Sequence, residues 1–324
     1  MKLFGSDLSK LVKFLTYSVY WPGIQMQRNS WQNGVLGANC PIQPKKNFTY
    51  QFQVKDQIGS FFHFPSLNFQ RASGGFGAII INNRNVIAIP FALPDGHIVI
   101  LIGDWYTQNP TALRTILGSG GVLINGKGPY RYNTTLVPAG IEYESINVDP
   151  VQTEGHYTTQ QNFTSFDIHV GQSYSFLVTM DQNATTDYYI VASARFLNES
   201  VWERVTGVAI SHYSNSKGPA TGPLPLPPSD IYKPMVSNEP AEGHQAKHYS
   251  KWRRPNPQGS FHYGSIKVTD TYVLRSLPPV MIDRKLRAIL NGISFVNPDT
   301  PIRLAEMHNV KGAYKLDLIM LCIK

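Results

Sequence analysis

The stretch NFTYQFQV, residues 47–54, places Phe48, Tyr50, Phe52 and Val54 on one side of an extended chain and polar residues on the other. That period of two marks a half-buried β-strand, whereas a helix needs a period of about 3.6. Tyr174, Phe176, Val178 and Met180 repeat the pattern in QSYSFLVTM. Denser apolar runs, GAIII at 77–81, HIVILIGDW at 97–105 and DYYIVASARF at 187–196, are expected to be strands buried on both faces. Asn33-Gly34 and Asn125-Gly126 supply turn pairs between such segments. One helix is expected in NPTALRTILG, with Pro110 at its first position and Gly118 at its stop. The pattern as a whole is that of an all-β sandwich protein.

Composition agrees with burial of large rings between turns. Of 324 residues, 12% are aromatic and only 15% are charged, with 26 Gly and 23 Pro. No run of about 18 apolar residues exists, so no transmembrane span is expected. The net charge of +8 is unevenly placed: residues 1–232 hold 15 Lys/Arg against 14 Asp/Glu, and residues 233–324 hold 14 against 7. Such a basic region attracts polyanions, among them anionic cell-wall polysaccharide; no recognition fold accompanies it, so no nucleic-acid partner is expected. The plainer reading is a solvated basic surface.

The clearest boundary is KGPATGPLPLPPSDIYKP, where prolines at 219, 223, 225, 227, 228 and 234 favour an extended spacer. At the N-terminus, Leu8, Leu11, Val12 and Leu15 follow a helical spacing after Ser6, while Lys10 and Lys13 interrupt any signal-peptide core. Five N-x-S/T sequons, at Asn47, Asn133, Asn162, Asn183 and Asn198, point instead to a secreted, extracellular glycoprotein.

Candidate chemistry is sparse. The nine histidines, at 63, 97, 156, 169, 212, 244, 248, 262 and 308, include no His-x-His pair of the kind that aims two imidazoles from one strand face at a metal. His244 and His248 lie four apart in a Pro/Gly-rich context that reads as loop. GSGGVLINGKG at 118–128 lacks the strand-before, helix-after setting of a phosphate loop. No nucleophile elbow occurs. Cys40 and Cys322 permit one bridge, which the sequence leaves open.

YWPGIQMQRNSWQNG (20–34), GANCPI, GSFFHFPSLNFQRASGGFGAIIINNR, IGDWYTQNPTALRTIL, VLINGKGPYRYN and NGISFVNPDTPIRLAE resemble, in this order, the multicopper oxidases. The similarity is greatest to the plant L-ascorbate oxidase-like and monocopper oxidase-like branch. The resemblance implies three cupredoxin-like Greek-key sandwiches, secretion, a role in pollen or cell growth, and copper held by histidine and cysteine. It divides the chain into a segment outside the family pattern (1–20), a partial first domain (21–84), a second domain with an internal deletion (85–216), a Pro-rich linker (217–250) and a partial third domain (251–324). Pieces missing from the family pattern are expected to leave sheet edges and apolar faces exposed.

Aligned on these blocks, Tyr20 and Pro22 stand where an active oxidase has its first His-x-His, and Phe64 and Ser66 where it has its second. His63 is one position away, which turns it to the opposite strand face. No catalytic, cofactor or metal residue is therefore assigned, and no copper is expected at the family sites. Cys322 has no neighbouring histidines, and in the family the cysteine of the NCPI segment pairs with the distal C-terminus. The expected function is a scaffold or binding protein of the cell wall without oxidase activity. The alternatives are a copper-dependent oxidoreductase of the ascorbate oxidase type and a module for anionic polysaccharide.

Overall fold

The computed structural model describes residues 16–54, 56–85, 87–106, 120–128, 149–153, 156–157, 166–195, 200, 204–218, 220, 224, 267–269, 271 and 273–312. The expected N-terminal helical spacing, the helix at 110–118, most of the Pro-rich linker and the pair His244 and His248 lie outside them.

The first sheet is antiparallel, in the order β1 (Val19–Tyr20), β2 (Gly59–Pro65) and β3 (Gly77–Ile81). Alternation along β2 sends Phe61, His63 and Pro65 inward and Phe62 and Phe64 outward, as a pleated strand requires. Beneath the sheet lies a core of Val19, Trp21, Ile24, Met26, Phe61, Ile79 and Ile81. The boundary expected at residue 20 thus falls inside this unit: Val19 and Tyr20 pair with Pro65 and Phe64, and Tyr17 bridges Ile42.

The expected strand at 47–54 is corrected. Its alternation is real, since Tyr50, Phe52 and Val54 pack against the Trp21 core while Phe48 is exposed. The ladder is not, because one bridge, Gln27 to Gln53, is the only pairing among the described residues there. Bonds between side chains and backbone tie it down instead. The Gln32 amide oxygen accepts from Gln51 N, Asn29 donates to the Gln51 carbonyl, and the Tyr50 hydroxyl accepts from Val19 N at 3.1 Å. Buried Gln57 stitches the neighbouring turn in the same way, donating to Gly23 O at 2.6 Å and accepting from Gln25 N at 2.8 Å. Backbone groups shielded from water need a partner, and side-chain amides are the partner when no strand is adjacent.

The second unit pairs β4 (Ile102–Trp105) with β5 (Gly121–Ile124), and β6 (Asp149–Thr153) with β7 (His156–Tyr157) and β8 (Tyr174–Leu177). β9 (Tyr188–Ser193) pairs with β10 (Thr206–Ser211). β10 lies directly on β5, where a Cβ on Gly207 would stand 2.9 Å from Val122 O. Two serine contacts join the first and second units: Ser173 donates to Ser60 O at 2.6 Å, and the Ser60 and Ser175 hydroxyls lie 3.0 Å apart.

The dense apolar runs are not buried on both faces. Ile80 in β3 is 41% exposed, residues 97–101 form no strand, and β9 is half-buried along its length.

The third unit is a hairpin of β11 (Ser276–Ile282) and β12 (Lys285–Leu290), followed by one short helix, α1 (Ile302–Met307). Its register shifts between Leu277 and Val280, where Pro278 and Pro279 have no N–H to give the ladder. α1 docks on the first unit: Ile302 N donates to Gly37 O at 2.9 Å, Arg303 N to Ala38 O at 3.0 Å, and the Arg303 guanidinium sits 5.3 Å from the Trp31 ring centre. Gly37, at φ +83°, permits this approach, since a Cβ there would stand 2.7 Å from Pro298.

Two Asn-Gly turns build one device twice. At Asn125-Gly126 both residues have positive φ, and Asn125 Oδ1 accepts from Leu101 N at 2.8 Å while its Nδ2 donates to Val99 O at 3.0 Å. At Asn291-Gly292 the same atoms bond Arg275 N at 2.7 Å and Val273 O at 2.8 Å. The side chain thus acts as an extra peptide unit that ties the incoming segment to the hairpin. Asn33-Gly34 differs from the expected hairpin turn: Gly34 ends a short 3-10 helix, Ser30–Asn33, in the left-handed conformation.

Replacing Asn125 by Ala removes both side-chain bonds and a residue tolerant of positive φ. Equilibrium urea unfolding is expected to show a loss of about 1–3 kcal/mol.

Candidate functional site

The four positions singled out from the sequence come together at one end of the first sheet. Tyr20 stands directly across from Phe64 in the β1–β2 register, and their rings meet edge to face at 5.4 Å and 83°. Phe62 stacks beside Phe64 with ring centres 5.3 Å apart. The Arg71 guanidinium lies 4.6 Å over the Phe64 ring. Ser66, just past β2, is committed to structure: its Oγ donates to Gly34 O at 3.1 Å, and its N to Ser18 O at 2.8 Å. Pro22 follows the buried Trp21 into a turn and offers no donor atom.

His63 lies on the other face of β2. Its ring packs 5.1 Å from Trp21 and against Gly77, where an added Cβ would meet it at 2.7 Å. His63 Nδ1 and Trp21 Nε1 are buried without a hydrogen-bond partner. Burial pushes the imidazole below its ordinary value, so the ring is held neutral.

The remaining candidates are dispersed. His97 and His308 are exposed, and His262 lies outside the described residues, as does Cys322; Cys40 is exposed. His212 pairs with Asp187, Nδ1 to Oδ1 at 3.1 Å, and this hydrogen bond is the main cause holding the Asp187 carboxyl below its usual range. That pair ties the start of β9 to the end of β10. No cluster of three or more His, Cys, Asp or Glu suited to a metal occurs among the described residues. Residues 121–128 form β5 and its turn, so the glycine-rich stretch frames a hairpin and not a phosphate loop. Asn47 and Asn183 are exposed; Asn133, Asn162 and Asn198 lie outside the described residues. Arg71 was not singled out from the sequence, because only the turn after β2 carries it back over Phe64.

Comparison with known proteins agrees with this architecture. Two family profiles, each described as multicopper oxidase, match residues 15–86 and 151–216. The "Monocopper oxidase-like protein SKS1" of Arabidopsis thaliana is 62% identical over 92% of this chain and 56% of its own length. An "L-ascorbate oxidase homolog" of Nicotiana tabacum is 38% identical over 92% of this chain and 58% of its own. Among solved structures, Fet3p, a multicopper oxidase that functions in iron import, superposes with a TM-score of 0.67 at 14% identity, over 94% of this chain and 59% of that one. The chain belongs to the multicopper oxidase family, with its cupredoxin-like fold. Within the family it groups with the plant members named monocopper oxidase-like and L-ascorbate oxidase homolog, and it spans a little over half the length of those relatives.

The family implies copper, and imidazole and thiolate are the ligands that suit it. The residues at this sheet end do not fit. Two carbon rings in mutual contact occupy the Tyr20 and Phe64 positions, Ser66 Oγ is spent on a carbonyl, and His63 faces the core. No chemical step through copper follows from them.

A histidine whose pKa is depressed on folding binds fewer protons folded than unfolded. Its contribution is therefore complete above about pH 6.5 and is lost as pH falls through the lower folded value. Urea midpoints measured at neutral pH and about one and a half units lower should converge in His63→Phe relative to the parent protein.

Proposed function

We propose that this protein is a multicopper oxidase relative without oxidase activity that works outside the cell as a binding scaffold in the wall, in pollen or growing tissue. The observation that carries the proposal is the Tyr20–Phe64 ring contact, which fills with carbon the place where copper-ligating imidazoles would converge. The names of its plant relatives support the family setting. The excess of 14 basic over 7 acidic residues in 233–324 supports an acidic wall component as partner.

Secretion is supported by the sequon at Asn183, which is already shaped for modification. Its Oδ1 accepts from Thr185 N at 3.1 Å and from Thr185 Oγ1 at 2.9 Å on an exposed turn. Expressed through a secretory pathway, the protein is expected to carry a glycan there. Asn183→Gln should remove one glycan's mass on a denaturing gel, and an unchanged mass would contradict it.

Metal analysis of the purified chain, with its visible spectrum, tests the main reading. Copper well below one per chain and no blue band are expected. One or more tightly held coppers, or oxygen consumption with a phenol or ascorbate, would establish the oxidoreductase reading instead.

A further inference from the structure

The reverse face of the first sheet carries a platform that neither the core nor a metal accounts for. Phe62 and Phe64 project from β2, Tyr20 meets Phe64 from β1, and all three rings are half-buried on the sheet face opposite the Trp21 core. Arg71 closes one side with its guanidinium 4.6 Å over the Phe64 ring. A guanidinium stacked on a ring keeps its N–H donors pointing outward in its own plane, the arrangement that takes a carboxylate with two parallel bonds. Among the described residues no carboxylate pairs with Arg71. Tyr106 lies close enough to feel its charge, with its hydroxyl donated to Asp104 at 3.3 Å.

The element that carries Arg71 is fixed. Gln70, buried beside it, donates from Nε2 to Thr16 O at 2.8 Å. Asn68 and Phe69, at φ 48° and 57°, enter this turn in the left-handed region, and a bulky residue held there is under strain. Such strain collects where the chain must aim a side chain. The result is a preorganised cation beside a half-buried aromatic cluster.

We infer that this platform binds a uronate unit of an acidic polysaccharide. The sugar's C–H groups pack against the outer edges of the stacked Phe62 and Phe64 rings, and its carboxylate pairs with Arg71. The ligand must be anionic, because the charge beside the rings is a guanidinium with no carboxylate partner among the described residues. A polymer of such units also suits the chain's net charge of +8. This inference rests on reading the protein as an extracellular binding scaffold and names that scaffold's ligand and site.

Titration of the full chain with a galacturonate oligomer, followed by calorimetry and by aromatic proton shifts, tests it; the uncharged galactose oligomer of equal length is the control. The acidic oligomer is expected to bind and to shift the Tyr20, Phe62 and Phe64 ring signals. Arg71→Gln should weaken binding about tenfold or more, the scale of a hydrogen-bonded charge pair. Arg71 is exposed, so the variant should keep its melting midpoint. Binding unchanged in Arg71→Gln but lost when Arg284, Lys285 and Arg287 are replaced by Ser would overturn the site while leaving a wall-binding scaffold. Equal binding of the neutral oligomer would overturn the role of the carboxylate. No binding of either oligomer by the parent protein would overturn the inference, and the copper count would still decide the scaffold reading independently.

Discussion

Burial of Trp21 is the constraint from which both faces of the first sheet follow. Its side chain is 2% exposed and touches Tyr50, Phe52 and His63, residues brought from two distant segments. Because neighbouring residues of an extended chain point to opposite sides, an inward Trp21 forces Tyr20 outward. The same parity along β2 puts Phe61 and His63 inside and Phe62 and Phe64 outside. Core and platform are thus two readings of one alternation. A histidine at 64 would have faced the platform; at 63 it becomes a neutral member of the core.

This parity explains why a chain can keep an oxidase fold after its ligand positions have changed. The interior depends on Trp21, Ile24, Phe61, Ile79 and Ile81, which pack on the inward face of the sheet. The outward positions are free to vary as long as they do not disturb the pleat. Tyr20 and Phe64 fill their space against each other, and Ser66 takes over a backbone duty by bonding Gly34 O, whose left-handed residue passes so close to Val19 that no Cβ would fit. A sheet end lined by Tyr20, Phe64 and Ser66 and a retained fold are therefore compatible, because different faces of the same strands carry them.

Fold class was legible in the sequence because period-two alternation reports burial directly. Pairing was not, and residues 48–54 show why: burial of Tyr50, Phe52 and Val54 is set by local alternation, but the Gln51 backbone between them is bonded by the Gln32 and Asn29 side chains, and the Tyr50 hydroxyl by Val19 N, all from an earlier part of the chain. α1 escaped notice for a related reason. Six residues cannot sustain a helix alone, and this one is held by bonds to Gly37 and Ala38 more than 260 positions earlier. At the site, the identity of Tyr20, Pro22, Phe64 and Ser66 as a group came from resemblance to a family, since nothing in their own spacing marks them. Arg71 was invisible, because a cation gains meaning only when a turn lays it over a ring.

This reading requires that Tyr20 and Phe64 stay in ring contact when copper is offered. Proton NMR of the two labelled rings, recorded before and after addition of copper(II), tests it most directly. A strong cross-relaxation peak between the rings that persists without paramagnetic broadening is the predicted result. Selective broadening of both rings at one equivalent of copper would contradict the account.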